Sequence, residues 1–346
     1  MQEYIIIFFS ALASLFIARK IARRVGLVDK PNARKHHNGH IPLVGGVSIY
    51  ISIWVLFILQ PNWFPNFEYY IICVSLLLFV GVLDDRFDLP VTPRILLQAF
   101  VAIVMMFSGL HLSSLGDIFL GYAVGLGILG YLITIFAVMC AINAFNMVDG
   151  IDGLLGALSC VSFASLGIAF TLHGKYELAQ WCICLTIACF PYILLNLGIP
   201  WGRKFKVFMG DAGSTLIGFT VIWLIILATQ GTTAILHPVT ALWIIAVPLM
   251  DMIRVMISRV RRGDSPFKPD REHLHHILLK YGFTHSTALG VVLAIAISFS
   301  AVGIYADMMN YNQLGVLILF IACFGAFVLF INKLAKIGSL KENNRS

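Results

Sequence analysis

Charge is what this chain has least of. Asp, Glu, Lys and Arg make up 12% of its 346 residues, where a soluble domain carries about a quarter. With 59% hydrophobic residues and a mean hydropathy of +0.90, that scarcity excludes a soluble globular domain, and it excludes disorder as well. Paired cysteine motifs are missing too. All seven cysteines (Cys73, Cys140, Cys160, Cys182, Cys184, Cys189, Cys323) lie in apolar runs, and no CxxC faces a second pair or a histidine at zinc spacing, so they read as small buried hydrophobes. The N-terminal apolar run has no basic stretch ahead of it and no small-residue cleavage site behind it, which predicts an uncleaved membrane helix. There is no repeat, no low-complexity tract and no GxxxxGK[ST] loop.

What the chain does have is apolar runs. A helix crosses a bilayer in about 20 apolar residues, and runs separated by polar breaks fall at roughly 4–18, 42–60, 69–83, 94–110, 120–140, 154–172, 178–198, 212–229, 234–256, 287–306 and 311–331. This predicts an all-α polytopic membrane protein with about 11 transmembrane helices, forming a single embedded domain. Of the 24 Lys and Arg residues, 23 fall in alternate loops on one side and Lys175 alone on the other. The positive-inside rule makes the rich side cytoplasmic, with the N-terminus outside and the C-terminus cytoplasmic. The net charge of +7 is thereby a topology signal, and nucleic acid is not needed as a partner. Ten of the twelve aspartates and seven of the ten histidines also lie on that side. Cytoplasmic loops at about 19–41, 84–93, 141–153, 199–211 and 257–286 are therefore where chemistry is expected.

Three acidic clusters border these loops. In the first, Asp84, Asp85 and Asp88 end the third run one helical turn apart, and like charges that close call for a cation among them. In the second, Asn143, Asn146, Asp149 and Asp152 recur every three residues, a spacing that keeps four oxygen-bearing side chains roughly on one helical face. In the third, Asp211 opens the eighth run within Gly210-Asp211-Ala212-Gly213-Ser214. There it reads equally well as a helix N-cap or as part of a phosphate site on free helix N–H groups, with Lys206 close by. Carboxylates and amides in this density suit a hard, oxygen-ligated cation such as magnesium. The longest inner loop adds Arg259, Lys268, Asp270, Arg271, His273, His275 and His276. A HxHH run lacks the separated ligands of a closed zinc site and reads as anion-binding or else as a solvated loop, with His273 and His276 sharing a helix face and His275 pointing aside. Asp29 and Lys30, with Arg34, Lys35, His36 and His37, read either as phosphate-binding or as an anchor at lipid headgroups.

Together these segments resemble the polyprenyl-phosphate N-acetylhexosamine-1-phosphate transferases of glycosyltransferase family 4. The matching stretches are LVDKPNARKHHNGHIPLVGG, the DDxxD at 84–88, NAFNMVDGIDGL, FMGDAGSTLIGF and PDREHLHH, in family order. The wording between them is similar to the bacterial branch that transfers N-acetylglucosamine-1-phosphate and starts enterobacterial common antigen and O-antigen synthesis in the inner membrane. The resemblance implies UDP-GlcNAc and undecaprenyl phosphate as substrates, UMP and undecaprenyl-diphospho-GlcNAc as products, Mg2+ or Mn2+ as cofactor, and inhibition by tunicamycin. By motif it implies catalytic roles for Asp84, Asp85, Asp149 and Asp152, and a metal held by Asp84, Asp85 and Asp211. It places Asp29, Lys30, Asn143, Asn146, Lys206, Arg259, Arg271, His273, His275 and His276 among the substrate-binding residues. Membrane lipid is a partner on this reading, and a homodimer is left open.

The residue inventory fits that chemistry on its own terms. One phosphoanhydride is broken and another made, so the exchange is near balance and needs no ATP. The obstacle is electrostatic: a lipid phosphate and a diphosphate of about two negative charges each, roughly 5 Å apart at an effective ε of 20, repel by about 13 kcal/mol. A divalent cation with Lys and Arg offsets most of that, and positioning does much of the rest. A transporter would place its acids at mid-span, whereas these lie at one rim. A CDP-alcohol phosphotransferase would need DGxxAR, and here Asp149-Gly150 continues as Ile151-Asp152-Gly153.

Overall fold

The computed structural model describes every residue except 31–38, 120–121, 267, 269 and 344–346, and the side chains through 337. Arg34, Lys35, His36 and His37 thus lie outside the described residues.

Each apolar run is helical over most of its length. In chain order the helices are α1 (Gln2–Val25), α2 (Gly45–Leu59), α3 (Phe67–Phe87), α4 (Val91–Phe107), α5 (Leu129–Met147), α6 (Leu154–Leu172), α7 (Tyr176–Leu197) and α8 (Gly210–Thr229). They continue as α9 (Pro238–Ile244), α10 (Ala246–Arg261), α11 (Leu274–Tyr281), α12 (His285–Met308) and α13 (Gln313–Asn343). Eight of these are long and apolar enough to cross a bilayer, while α2 and α4 are shorter apolar helices of 15 and 17 residues. The only strands among the described residues, β1 (Val28–Asp29) and β2 (Ile41–Pro42), pair antiparallel.

Two runs depart from the simple expectation. The run expected at 120–140 becomes helix only at Leu129. Before it, residues 113–119 pair with residues 122–126, with Leu115 N–H donating to Val124 O and Val124 N–H to Gly116 O, both at 2.9 Å. Gly116 and Gly127 take positive φ there, conformations that favour a turn over a helix. The run at 234–256 is broken at Ile245, where α9 and α10 meet at 81°. Pro248 follows in the first turn of α10, where its missing N–H costs nothing because that turn has no intrahelical acceptor to serve.

The centre of the bundle is α8, which is buried along its whole length. Small residues let its neighbours approach: a Cβ on Gly46 of α2 would overlap Gly213, one on Gly81 of α3 would overlap Ala212, and one on Gly218 would lie 2.7 Å from Ile142 Cα of α5. Close backbone approach of this kind is how helices associate where lipid supplies no hydrophobic drive between them. Its consequence is positional: the first turn of α8 is wedged between α2 and α3, one turn from the carboxylates that end α3.

Candidate active site

The end of α3 and the start of α8 are joined by a carboxylate. Asp85 Oδ1 accepts the Asp211 N–H at 2.8 Å and Asp85 Oδ2 the Ala212 N–H at 3.2 Å, so the α8 N-terminus is capped from another helix. This corrects two expectations. Asp211 is not the N-cap, since α8 begins at Gly210 after Met209, and its first N–H groups are not open to phosphate, because Asp85 already holds them. Gly210 has φ 77°, and a Cβ there would strike the Asp85 carboxylate, so glycine is required for the cap to close. Val44 N–H and Gly45 N–H donate to Phe208 O at 3.1 and 3.0 Å, and Phe208 N–H donates to Pro42 O at 2.9 Å, which lock the approach to α8 against the start of α2.

Released from capping, the Asp211 side chain turns toward a cleft that it lines with Asp84, Arg94, Gln98 and Thr215. Arg94 Nη1 stands 2.9 Å from Asp84 Oδ2 and 3.8 Å from Asp211 Oδ2. Asp84 is 5% exposed and also accepts the Leu89 N–H at 2.8 Å, while the Asp211 side chain is 39% exposed. Asn146 Nδ2 donates to Asp211 Oδ1 and to Ser214 Oγ, both at 2.7 Å, and Asn143 Nδ2 donates to Gln98 Oε1 at 2.7 Å. Four elements thus converge on one pair of carboxylates. Asp88 does not join them. It closes α3 in the left-handed conformation and is exposed.

The expected single face of Asn143, Asn146, Asp149 and Asp152 also divides, because α5 ends at Met147 and the chain turns. The two asparagines stay on the helix and face α4 and α8. Asp149 lies exposed in the turn, and Asp152 pairs with Lys206 Nζ at 2.5 Å. Asn196 of α7 fixes this turn: its Oδ1 accepts the Gly153 N–H at 2.5 Å and its Nδ2 donates to Val207 O at 2.8 Å.

The histidine run meets the same turn. A Cβ on Gly150 would overlap the His275 ring, so only glycine lets the Asp149-Gly150 turn lie against it. His275 is 2% exposed, its Nε2 has no hydrogen-bond partner among the described residues, and its ring is parallel to that of His273 at 5.9 Å. Burial, and then the charge of His276 beside it, push the His275 imidazole down to about 3, while burial, and then His273, push His276 down to about 4. The expectation that His275 would point aside is therefore reversed. His273 is the residue before α11, not part of it, and His275 is the most buried of the three. His273 Nδ1 lies 2.9 Å from Asp251 Oδ2.

Arg259 is committed within its own loop, with Nε 2.7 Å from Asp270 Oδ2 and Nη1 donating to Pro266 O at 2.6 Å. Arg271 and Lys30 are exposed, and Asp29 is buried in the short β-pair near the α3 terminus. Arg94, Gln98 and Asp251 were not picked out by motif reading. Their signal is a polar pair on an apolar helix: Arg94 and Gln98 are spaced i, i+4 on α4, and Asp251 and Arg254 are spaced i, i+3 on α10.

Among the described residues no three His, Cys, Asp or Glu side chains form a preassembled metal cage. Magnesium needs less, since it binds through one or two carboxylates plus substrate phosphates and waters. Asp84 and Asp211, facing one cleft on either side of the Arg94 guanidinium, fit that pattern, whereas Asp85, expected as a third ligand, has both carboxylate oxygens engaged by the Asp211 and Ala212 N–H groups.

Residues 67–229 match the family described as Glycosyl transferase family 4. The chain is 50% identical over 339 residues, 97% of its length and 92% of the relative's, to the undecaprenyl-phosphate alpha-N-acetylglucosaminyl 1-phosphate transferase of Salmonella typhi. It is 51% identical to the protein of that name from Escherichia coli K12, covering 97% of this chain and 92% of the relative. It is 43% identical to the one from Haemophilus influenzae, covering 95% and 92%.

Proposed function

The chain belongs to glycosyl transferase family 4, and from that premise we propose that it transfers N-acetylglucosamine-1-phosphate from UDP-GlcNAc to undecaprenyl phosphate, releasing UMP. The observation that carries the reading is the meeting of Asp84 and Asp211 around Arg94 in a cleft at the end of the bundle where the motif loops gather. Purified protein given undecaprenyl phosphate and a panel of UDP-sugars tests it, with the lipid product identified by mass. UMP release that requires both substrates, with UDP-GlcNAc preferred over UDP-GalNAc and no use of the muramyl-pentapeptide donor, is the expected result. Efficient use of the pentapeptide donor would move the chain to another branch of the family. The product then serves as the lipid-linked first sugar of enterobacterial common antigen and O-antigen chains.

The protein's own residues divide the work. Arg94 and Lys206 place fixed positive charge beside the acceptor and donor phosphates. Asn146 orients Asp211, and Asp85 holds the α8 turn that carries it. Asp84 and Asp211 are the residues that would hold Mg2+, or Mn2+ in its place, and the ion would supply neutralisation of phosphate charge. The acceptor phosphate is already ionised and needs little base help, so direct in-line attack on the β-phosphorus is favoured. That both candidate nucleophiles, Asp84 and Asp85, accept backbone N–H bonds supports the same course. Inversion at a chiral β-phosphorus is the expected outcome, and retention would identify a phospho-enzyme.

The topology belongs to the same proposal. Eight helices are long enough to cross, nine with the bent α9–α10 pair as one span, and taking the two shorter apolar helices as crossings too gives the eleven of this reading, with the site facing the cytoplasm of a bacterial inner membrane and the N-terminus outside. The support is the distribution of Lys and Arg, 23 of 24 on the site's side. Cysteines introduced at Glu68, Gly174 or Asn310 should label from outside and one at Ser265 should not. Labelling of Ser265→Cys from outside would reverse the orientation.

A further inference from the structure

The Asp251 carboxylate lies on α10, 1% exposed, in a part of the chain that no acidic motif marks. Three donors converge on it. Oδ1 accepts the Leu274 N–H at 2.9 Å and Arg254 Nη2 at 3.0 Å, and Oδ2 faces His273 Nδ1 at 2.9 Å. Arg254 in turn donates to Glu272 O, so the turn leading into the histidine run is held from both sides. A carboxylate that accepts from a guanidinium and a backbone N–H is ionised and can only accept. Nδ1 of His273 must therefore carry its proton, and Nε2 is the nitrogen that remains for chemistry.

We infer that Asp251 is a positioning residue: it fixes the tautomer and ring orientation of His273 so that Nε2 is presented to the donor diphosphate. This deepens the transferase reading and rests on it. The logic is that of a carboxylate behind a working histidine, where the acid never meets the substrate but decides which ring nitrogen does. The same carboxylate also caps α11 through Leu274 N–H, so a purely structural clamp is the alternative to be separated.

Asp251→Asn separates them. The amide oxygen still accepts from Leu274 N–H and Arg254, which keeps the clamp. The amide NH2 now faces Nδ1, which must give up its proton and accept, moving the proton to Nε2. Expected is a loss of kcat/KM per folded molecule of at least about tenfold, beside a lower melting temperature because the buried Arg254 loses its counter-charge. His273→Ala should cost as much, and the double variant should be no worse than His273→Ala alone, because the two residues act as one unit. Additive losses, or wild-type turnover in Asp251→Asn, would overturn the assignment. If Asp251→Asn does not purify, the wild-type protein still decides. Nitrogen-15 NMR of histidine-labelled protein in bilayers, with His273→Ala to assign the signal, should report a protonated Nδ1. A ring protonated at Nε2 alone overturns the proposal. Absence of any turnover in wild-type protein would remove the transferase reading and this role with it, whereas a protonated Nε2-only ring in an active enzyme would remove this role alone.

Discussion

The two ends of the bundle solve the problem of buried polar groups in opposite ways. At the end remote from the acidic cleft, polar side chains finish loops. Gln230 Oε1 accepts from Ser113 N–H, Ser113 Oγ and Ser114 N–H at 3.0–3.2 Å, Gln313 Oε1 accepts from Asp117 N–H at 2.9 Å, and Asp307 Oδ1 collects His237 N–H, His237 Nδ1 and Thr240 Oγ1 at 2.7–2.9 Å. Around the cleft itself charge meets charge across helices, and each of these pairs keeps a partly open member: Arg94 is 26% exposed, and Asp152 and Asp211 are each 39% exposed. The first kind of contact only holds a shape. The second is made of ion pairs whose partners a phosphate or a cation can replace at modest cost, because half-solvated pairs contribute little to stability.

The largest expected effect follows from that contrast. Asp84→Asn and Asp211→Asn should each reduce turnover by at least about 10²-fold, since each removes charge stabilisation at the reacting phosphates, while the protein still inserts and purifies. Asp307→Ala should do the reverse, lowering stability by about 1–3 kcal/mol through unpaired His237 and Thr240 donors and leaving turnover per folded molecule intact. Asp85→Ala should do both, because the cap it removes is worth about 0.5–2 kcal/mol and it carries the Asp211 turn. Steady-state rates and melting temperatures on the four variants check this. Equal rate losses at Asp307 and Asp211 would erase the distinction between the ends.

A steric prediction comes next. The buried His275 ring lies against Gly150, so Gly150→Ala forces ring or turn to move, at about 1–3 kcal/mol and with lower turnover. An unchanged rate would mean that the Asp149-Gly150 turn and the histidine run need not touch in the working enzyme.

Apolar runs were legible because a helix in lipid must be apolar over its length; each contains helix, although the run at 120–140 becomes helical only at Leu129 and the run at 234–256 breaks at Ile245. The acidic motifs were legible as a density of carboxylates at one rim, but their partners were not. Asp85 caps a helix 126 residues further along the chain, and the local rule for an N-cap sees only Asp211. The regular spacing of Asn143 to Asp152 suggested one face because it cannot register that α5 stops at Met147. Arg94 was counted for topology alone, since the acids it bridges lie on two other helices. What escaped was in each case a contact between distant segments.

A smaller effect should appear with acid. His275 and His276 have an ordinary value of 6.5 and are held at about 3 and about 4 when folded, by burial first. Between those limits the unfolded chain takes up protons that the folded one refuses, so their contribution is whole above pH 6.5 and declines as pH falls toward 4 and then 3. Between pH 7 and pH 5 the two histidines therefore work against the folded state, and the melting temperature of wild type relative to His275→Asn should drop over that range. An identical slope in the variant would place the acid sensitivity elsewhere.

The smallest effect on function, and the sharpest test of the remote end, is at Gln230. Its side chain is 5% exposed, accepts three hydrogen bonds and gives one, from Nε2 to Ser114 O at 3.1 Å. Gln230→Ala strands two backbone N–H groups and should cost about 1–3 kcal/mol, read as a lower melting temperature. Gln230→Glu keeps the acceptor but replaces the Nε2 donor with a charge beside Ser114 O, so it should recover only part of that loss. Turnover per folded molecule should stay within about twofold of wild type in both, since no Gln230 contact reaches the cleft and distant sites combine additively. A rate loss in Gln230→Ala that Gln230→Glu restores would mean that the Ser113-Ser114 segment transmits its position through α8 to Asp211, and the two ends would then have to be treated as one coupled device.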